Sequence, residues 1–429
     1  MKNLKILSLA MVSLLLAGCG GGNPGTPEVD DNGNTIVKIM FHVDEKSAEG
    51  IAYKKLISSF NKQYASEHIK ANASFIVRTT GAGDYETSLI SLKLDHNLPD
   101  IITFDAPNCA SYADAEILYD ITDNITAEEQ ADFLSVNKYQ NRIYGLPIQE
   151  SSAGFYYNKN IFRDAGIDVS GYTVDNPWTF DQFKEVCSRL KTKGVTPVDM
   201  RLDATKDETG TYLLYPFIYA AGGQFLSEDG LTATGYLDSE KSIKGFQFFK
   251  DLLTAQYTST SIGATDFFTG KVGMYLSSGW TIPELDHNFP NTFPNRDAWG
   301  LLPYPKDEKS ASATGSWCYG LTDNGIENKE PALKLLKHLT TAESATSVTN
   351  ATGMIPSRRS CVTNYQPGSP EKVLLDQLDK TGIARPATIG YPVFSTKFLE
   401  IIYGLKDTND VGSLVRTKTA SLQEELNRK

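Results

Sequence analysis

The sequence has too few basic residues for a nucleic-acid surface. It contains 41 Lys and Arg against 52 Asp and Glu, a formal net charge of −11 over 429 residues. A protein that binds DNA or RNA needs a basic patch to displace the counterions of the phosphates, so we exclude nucleic acid as a partner. Apolar residues make up 40% and charged residues 22%, which excludes global disorder. At roughly 100–200 residues per domain, the length predicts two or three domains.

Enzyme and metal signatures are also missing. The sequence has no H-E-x-x-H, no G-x-x-x-x-G-K-[ST] and no G-x-S-x-G motif. Its five His are never paired at the spacing of zinc ligands, so we predict no metal site and no cofactor. Asp and Glu are numerous, which leaves open the two opposed carboxylates of a glycosidase. No pair stands out, however, and we assign no catalytic residue.

Cysteine is scarce, and none of the five lies in a C-x-x-C unit, which argues against redox and zinc roles. Cys19 has a separate role at the N-terminus. The remaining four, Cys109, Cys187, Cys318 and Cys361, allow two disulfides in three pairings, or four free thiols that act as small apolar fillers. Cys187 lies on the apolar face of a predicted helix and favours the second interpretation.

No apolar run reaches the roughly 20 residues that cross a bilayer. Residues 6–17 are an apolar run that follows Lys2 and Lys5, which is typical of a signal peptide. The run ends in Leu-Ala-Gly-Cys, a tetrapeptide that resembles the lipobox of bacterial lipoproteins. The resemblance implies a signal peptide over residues 1–18 and a diacylated Cys19 at the start of the mature chain. Two acyl chains suffice for stable anchoring.

Residues 19–35 are then the lipidated cysteine and a flexible tether, because this segment is rich in Gly, Pro and Asp and has no apolar periodicity. Removal of Lys2 and Lys5 lowers the basic residues from 41 to 39 and brings the net charge to −13. We predict a protein at the outer face of the cytoplasmic membrane, anchored by its lipid.

Strand and helix patterns alternate in the first part of the body. Residues 36–43, 73–78 and 98–104 have the composition of strands, and residues 52–64 and 85–94 carry apolar residues at helical spacing. This alternation predicts βαβ units around a mainly parallel sheet.

Three later helices are indicated by their own signals. Thr179 and Gln182 form a predicted capping box, residues 243–253 are a Phe-rich helix, and Pro331 stands at a predicted helix start. No Pro- and Gly-rich linker separates two halves of the body. That absence is consistent with two α/β lobes between which the chain crosses more than once.

Several segments resemble the extracellular solute-binding proteins of ABC transporters, particularly the family 1 group that includes maltose-binding protein. Residues 142–167, RIYGLPIQESSAGFYYNKNIFRDAGI, resemble the family's Tyr-Gly-Leu-Pro, Tyr-Asn-Lys and Phe-x-x-Ala-Gly tract. Residues 267–280, FFTGKVGMYLSSGW, resemble its F-x-x-G-x-x-A-M…G-x-W tract, with Gly273 in place of the usual Ala. Shorter similarities lie at residues 99–102, 177–180, 216–223 and 353–357, and the whole set spans about residues 36–400.

The resemblance implies a two-lobe α/β fold of the periplasmic-binding-protein type II class, with a hinge and a ligand cleft between the lobes. The first lobe would comprise residues 36–149 and 298–345, and the second residues 150–297 and 346–429. Ligand binding would close the hinge. The expected protein is a monomer that binds a mono- or oligosaccharide and delivers it to the permease subunits of an ABC importer.

A sugar-binding cleft needs aromatic planes for the sugar's C–H faces and polar side chains for its hydroxyls. Trp280, after a predicted strand, is the first candidate for stacking. By the resemblance, Tyr212 and Trp317 are further aromatic candidates. The other candidates follow the predicted strands, precede the lobe crossover or lie late in the chain: Asp44, Glu45, Phe104, Asp105, Glu150, Arg385 and Tyr391. Several have structural alternatives, such as a helix cap for Asp105 and a helix-packing face for Tyr212.

Other functions remain open at this level. The same fold could bind a polyamine, a phosphorylated glycerol or an anion, or could pass its occupancy to a sensor kinase. A surface lipoprotein with glycosidase activity is the alternative from another functional class, and it would need two carboxylates about 5–10 Å apart.

Overall fold

A computed structural model describes residues 27–78, 84–202, 207–362 and 364–428. The predicted signal peptide, Cys19 and the first part of the tether lie outside the described residues. Within these ranges, no helix is long and apolar enough to cross a membrane.

The described chain is a mixed α/β protein. Its strands are β1 (Thr35–His42), β2 (Ile69–Ile76), β3 (Ile101–Asp105), β4 (Asn137–Tyr139), β5 (Arg142–Ser151), β6 (Ala153–Asn158), β7 (Thr196–Asp199), β8 (Val272–Ser278), β9 (Trp299–Leu302), β10 (Ser312–Ala313), β11 (Gly315–Leu321), β12 (Ile355–Pro356) and β13 (Gly382–Ile383). Its α-helices are α1 (Ala48–Gln63), α2 (Asp84–Leu94), α3 (Cys109–Asp114), α4 (Ala127–Asp132), α5 (Lys159–Asp164), α6 (Phe180–Thr192), α7 (Glu208–Ala220), α8 (Glu240–Thr254), α9 (Thr281–His287), α10 (Lys329–Leu339), α11 (Ala342–Thr352), α12 (Pro370–Thr381), α13 (Tyr391–Gly404) and α14 (Val411–Leu426).

The first lobe is built on a seven-stranded sheet in the order β12-β5-β11-β3-β1-β2, with β4 paired to β5. Strand β1 is parallel to β2 and β3, whereas β11 is antiparallel to both β3 and β5. The expectation of a mainly parallel sheet is therefore wrong beyond β3. The βαβ pattern predicts parallel pairing for consecutive units, but β11 enters from the other lobe and runs in the opposite direction.

Local signals set the helix starts. The side chain of Ser47 accepts a hydrogen bond from the Gly50 amide, so α1 begins four residues before the predicted position. The predicted capping box of α6 is present, with Thr179 and Gln182 bonding reciprocally at 2.8 and 3.2 Å. Helix α10 begins at Lys329, so Pro331 is its third residue and not its first. Proline is tolerated there because the first amides of a helix have no intrahelical partner.

The second lobe surrounds a four-stranded sheet in the order β7-β8-β6-β9. Strand β8 is parallel to β7 and antiparallel to β6, and β6 is antiparallel to β9. One face of this sheet is covered by the apolar sides of α6, α7 and α8, whose rings interlock. For example, Phe217 packs on Phe248 with ring centroids 5.6 Å apart. Such aromatic packing accounts for the high Phe content of these helices.

The chain passes between the sheets at three places, and these correct two of the predicted lobe boundaries. It leaves the first sheet after β5 and enters the second with β6, so this crossing is at Ser152, close to the predicted 149/150. Strand β9 pairs with β6 in the second sheet, although residues 298–345 were expected in the first lobe; the return is at Thr314. The predicted boundary at 345 falls inside α11, and β12 still pairs with β5 of the first sheet, so the third crossing lies after Pro356.

Two glycines bring the lobes into backbone contact beside the third crossing. Gly279 follows β8 in the second lobe, and Gly353 ends α11 in the first lobe with φ +72°. A Cβ built on Gly279 would overlap the carbonyl oxygen of Gly353, and a Cβ on Gly353 would overlap that of Gly279. Only hydrogen at both positions permits this approach.

Candidate functional site

The strand ends of both lobes meet where the chain crosses between them. In the first sheet Trp317 of β11 lies opposite Asp105, the last residue of β3, and Ser316 lies opposite Glu150 near the end of β5. In the second sheet β8 ends at Ser278, immediately before Gly279 and Trp280. Open α/β sheets bind ligands outside the ends of their strands, so this junction is the candidate site.

Trp280 presents an exposed ring at this junction. Its relative exposure is 38%, and its ring lies 5.9 Å from that of Tyr212 at an interplanar angle of 46°. Tyr212 is itself buried in α7, and its hydroxyl donates to Ser151 Oγ at 2.8 Å. Ser151 Oγ in turn donates to the Gly315 carbonyl at 2.6 Å. Tyr212 is thus fixed through Ser151 to the crossing at Ser152 and through Gly315 to the crossing at Thr314. Trp280 is the accessible member of the aromatic pair.

Arg385 lies beneath Tyr212, with its guanidinium carbon 5.3 Å from the ring centroid. It binds Asp105 through two hydrogen bonds of 2.7 and 2.8 Å, and it donates to Glu208 at 2.6 Å. Tyr391, buried in α13, donates its hydroxyl to the same Glu208 carboxylate. Asp105 makes no side-chain cap to the turn that follows it, so its helix-cap alternative is not realised.

Trp317 lies in the first lobe and has different neighbours from Trp280. The guanidinium carbon of Arg78 lies 3.9 Å from the Trp317 ring centroid, and Arg78 is held by Glu49 at 3.1 Å. The edge of His42 meets Trp317 at 5.5 Å, and His42 stacks on Tyr85 at 4.1 Å. Burial, with a smaller effect from Arg78, lowers the pKa of His42 to about 4, so this imidazole is neutral at pH 7. Because its guanidinium carbon lies 3.9 Å from the Trp317 ring centroid, Arg78 covers one face of the Trp317 indole.

Phe104 is not part of the site. It is 1% exposed and packs in an apolar cluster with Tyr112 and Cys318 on one face of the first sheet. Successive residues of a strand point to opposite faces, so Asp105 reaches the strand end while Phe104 enters the core. The expectation that both residues line the cleft is corrected for Phe104.

The remaining candidates occupy two different environments. Glu150 is buried between β11 and β12, where it accepts a hydrogen bond from Ser135, and burial raises its pKa to about 7. It therefore faces the protein interior. Asp44 and Glu45 are exposed in the turn between β1 and α1; Asp44 accepts from the Lys46 amide at 2.8 Å. Both acids lie just after the end of β1, as expected, and their role in ligand binding stays a prediction.

Glu208 and Arg78 are the site residues that sequence reasoning missed. Glu208 is the first residue of α7, where an acid is expected to interact with the helix dipole, and this common role conceals its pairing with Arg385. Arg78 follows β2 at the same edge as Asp44 and Asp105, and its position as the last residue of the predicted strand 73–78 is a signal that could have found it.

Neither cysteine pairs nor metal clusters occur in the described part of the chain. The four cysteines there are free thiols, three of them buried, which agrees with the apolar-filler interpretation. Burial raises the pKa of Cys109 to about 12. Over the same residues, no group of three or more His, Cys, Asp or Glu could hold a metal ion.

The structure has the architecture of a solute-binding protein. Its two lobes are joined by repeated chain crossings, and an exposed Trp lies where their strand ends meet. The profile of the bacterial extracellular solute-binding protein family matches residues 46–346. The match covers well over half of the chain, and the protein belongs to this family. The resemblance inferred from its sequence tracts is confirmed.

Named relatives agree with this family. A binding protein of Brucella abortus is 29% identical over 236 residues, which are 52% of this chain and 53% of that protein, so the chain spans about half the length of this relative. A maltooligosaccharide ABC transporter solute-binding lipoprotein of Streptococcus pneumoniae is 22% identical over 372 residues, covering 83% of this chain and 80% of that one.

Solved structures share the fold. The cyclic α-maltosyl-1,6-maltose binding protein of Arthrobacter globiformis superposes with a TM-score of 0.76 at 21% identity, over 92% of this chain and 100% of that one. The sugar-binding protein MalE of Xanthomonas citri gives 0.76 at 18% identity, over 92% and 98%. UgpB of Mycobacterium tuberculosis, in complex with glycerophosphocholine, gives 0.70 at 18% identity, over 92% and 99%. The type II two-lobe fold is confirmed.

Proposed function

We propose that this protein is a lipid-anchored extracellular receptor that binds a mono- or oligosaccharide between its lobes and delivers it to an ABC importer. The observation that carries the proposal is the exposed Trp280 ring, held by Tyr212 at the junction of the lobes. An indole offers the apolar plane on which a sugar ring stacks. Ser151 and Arg385 contact its neighbour Tyr212, and Asp105 binds Arg385, so hydroxyl, carboxylate and guanidinium groups of the kind that bind sugar hydroxyls lie at the same junction.

The relatives support a carbohydrate as the ligand. The Streptococcus pneumoniae lipoprotein is named for maltooligosaccharide, and the Arthrobacter and Xanthomonas structures are of sugar-binding proteins. We propose the same function for this chain, together with a permease partner, a monomeric state and a lipid on Cys19.

We infer binding without catalysis. A glycosidase needs two carboxylates free to act on the substrate. Asp105 and Glu208 are two acids at the junction, and both are bound to Arg385, which lies beneath Tyr212. A non-sugar solute is the second candidate, because UgpB shares the fold and binds glycerophosphocholine.

A thermal-shift screen of mono- and oligosaccharides, with glycerophosphocholine and a polyamine included, tests the proposal. Ligand at a hundredfold excess over Kd stabilises the folded protein by about 2.7 kcal/mol. We expect an upward shift of Tm with at least one sugar and no breakdown of that sugar on incubation. A shift only with glycerophosphocholine or the polyamine would refute the carbohydrate proposal, and release of product would refute the absence of catalysis.

A further inference from the structure

Arg385 joins the two lobes through carboxylates that come from opposite sides of the junction. Asp105 ends β3 in the first lobe, and Glu208 begins α7 in the second. The side chain of Arg385 is 4% exposed and that of Asp105 is 14% exposed, so water screens their two hydrogen bonds poorly. A bidentate guanidinium–carboxylate pair has a fixed geometry, which makes this contact sensitive to the separation of the lobes.

The guanidinium belongs structurally to the second lobe. Its neighbours there are the rings of Tyr212 and Tyr391, at 5.3 and 6.0 Å, and the Glu208 carboxylate. Glu208 is fixed in turn by the Tyr391 hydroxyl and by Ser395 Oγ at 2.7 Å. These contacts are all made within the second lobe and do not depend on where the first lobe lies.

Because Arg385 binds a carboxylate from each lobe, its guanidinium keeps one partner when the lobes separate. Removing one partner of a buried ion pair is costly because the other charge stays buried and uncompensated. Here Arg385 would keep Glu208, and Asp105 would move with β3 into solvent, where it is hydrated. Separation therefore leaves no buried unpaired charge in either lobe, and the contact can form and break reversibly.

We infer that the Arg385–Asp105 pair is a releasable latch between the lobes, and that Glu208 is the positioning residue that keeps Arg385 neutralised when the latch opens. The latch favours the closed arrangement independently of which solute the cleft accepts. Gly315 supports it, because a Cβ at this crossing residue would lie 2.8 Å from Arg385 Nη2 and 3.3 Å from the Tyr212 ring.

Small-angle X-ray scattering of the purified protein without added solute tests the latch. Asp105→Asn keeps the size of the side chain but removes the charge, and we expect a larger radius of gyration and a broader distance distribution than in the wild type. Arg385→Lys keeps the charge but loses the bidentate geometry, and we expect a shift in the same direction. Asp120→Asn is the matched control, because Asp120 pairs with Arg142 at the start of β5, within the first lobe, and its scattering should equal that of the wild type.

Scattering of Asp105→Asn and Arg385→Lys that superimposes on the wild-type curve would overturn the latch. An equal expansion of Asp120→Asn would also overturn it, because carboxylate loss in general would then be the cause. If one variant fails to fold, as judged by circular dichroism, the other decides. No solute enters this experiment, so its outcome is independent of the thermal-shift screen that tests the proposed function.

Discussion

Trp280→Ala is expected to weaken sugar binding by about 10- to 60-fold. An aromatic side chain buries about 150–250 Å² when fully covered, and 38% of Trp280 is exposed in the structure. The ring therefore offers a ligand about 57–95 Å², and at about 25 cal/mol per Å² this area contributes about 1.4–2.4 kcal/mol. Each 1.4 kcal/mol is about a tenfold change in Kd, which gives the stated range.

Isothermal titration calorimetry measures this change, with the sugar that produces the largest thermal shift as the ligand. Trp178→Ala is the control, since Trp178 stacks on Tyr172 at 4.0 Å in the second lobe and makes no ring contact with Trp280 or Tyr212. It should bind with the wild-type Kd. Trp280→Ala should also lose most of the ligand-induced change in tryptophan fluorescence. A Kd within about twofold of the wild type, a difference of only about 0.4 kcal/mol, would remove Trp280 from the site.

Three further outcomes follow from the hinge and the N-terminus. Gly279→Ala should lower the free energy of unfolding in urea by about 1–3 kcal/mol, because its Cβ would overlap Gly353. Gly171→Ala is the control and should leave the urea midpoint unchanged, because the space around its Cβ is open. Equal midpoints for the two variants would contradict the close approach of Gly279 and Gly353. Because the folded pKa of Glu150 is raised to about 7 from 4.5, the folded state holds a proton that the unfolded chain releases, and this residue's contribution to stability falls as pH rises through that window. Glu150→Gln should therefore remove a slope of about 1.4 kcal/mol per pH unit in urea unfolding between pH 5 and 7, and an unchanged slope would refute the assignment. Cys19→Ser should move the protein from the membrane fraction to the medium or periplasm, and retention in the membrane fraction would argue against the lipid anchor.

Features set by neighbouring residues were predicted well from the sequence. The reciprocal bonds of Thr179 and Gln182 span three residues, and the capping box appears as expected. Strand β1 differs from its prediction by one residue at each end, because its apolar residues, interrupted only by Lys38, are buried on both faces. Trp280 was chosen as a candidate because it lies two residues beyond the end of a recognisable strand, and the structure places it at the junction of the lobes.

Features set by distant residues were not predictable in the same way. The Arg385–Glu208 contact joins positions 177 residues apart, and no local pattern in the sequence indicates it. Phe104 and Asp105 were both assigned to the cleft, because the sequence locates the strand but does not say which face meets the other lobe. Strand β9 was placed in the wrong lobe for a related reason: a short apolar strand can pair equally well in either sheet.

The position of β11 has a consequence for how the chain is made. This strand lies between β3 and β5 in the first sheet, yet its residue Trp317 is separated by more than 200 positions from its partner Asp105. At about 5–20 residues per second, a ribosome needs about 10–40 s to pass from one to the other. Pairings of such high sequence separation also form slowly. The first lobe therefore stays incomplete during most of synthesis, and under the proposed extracellular location this interval would allow export of a chain that has not yet folded.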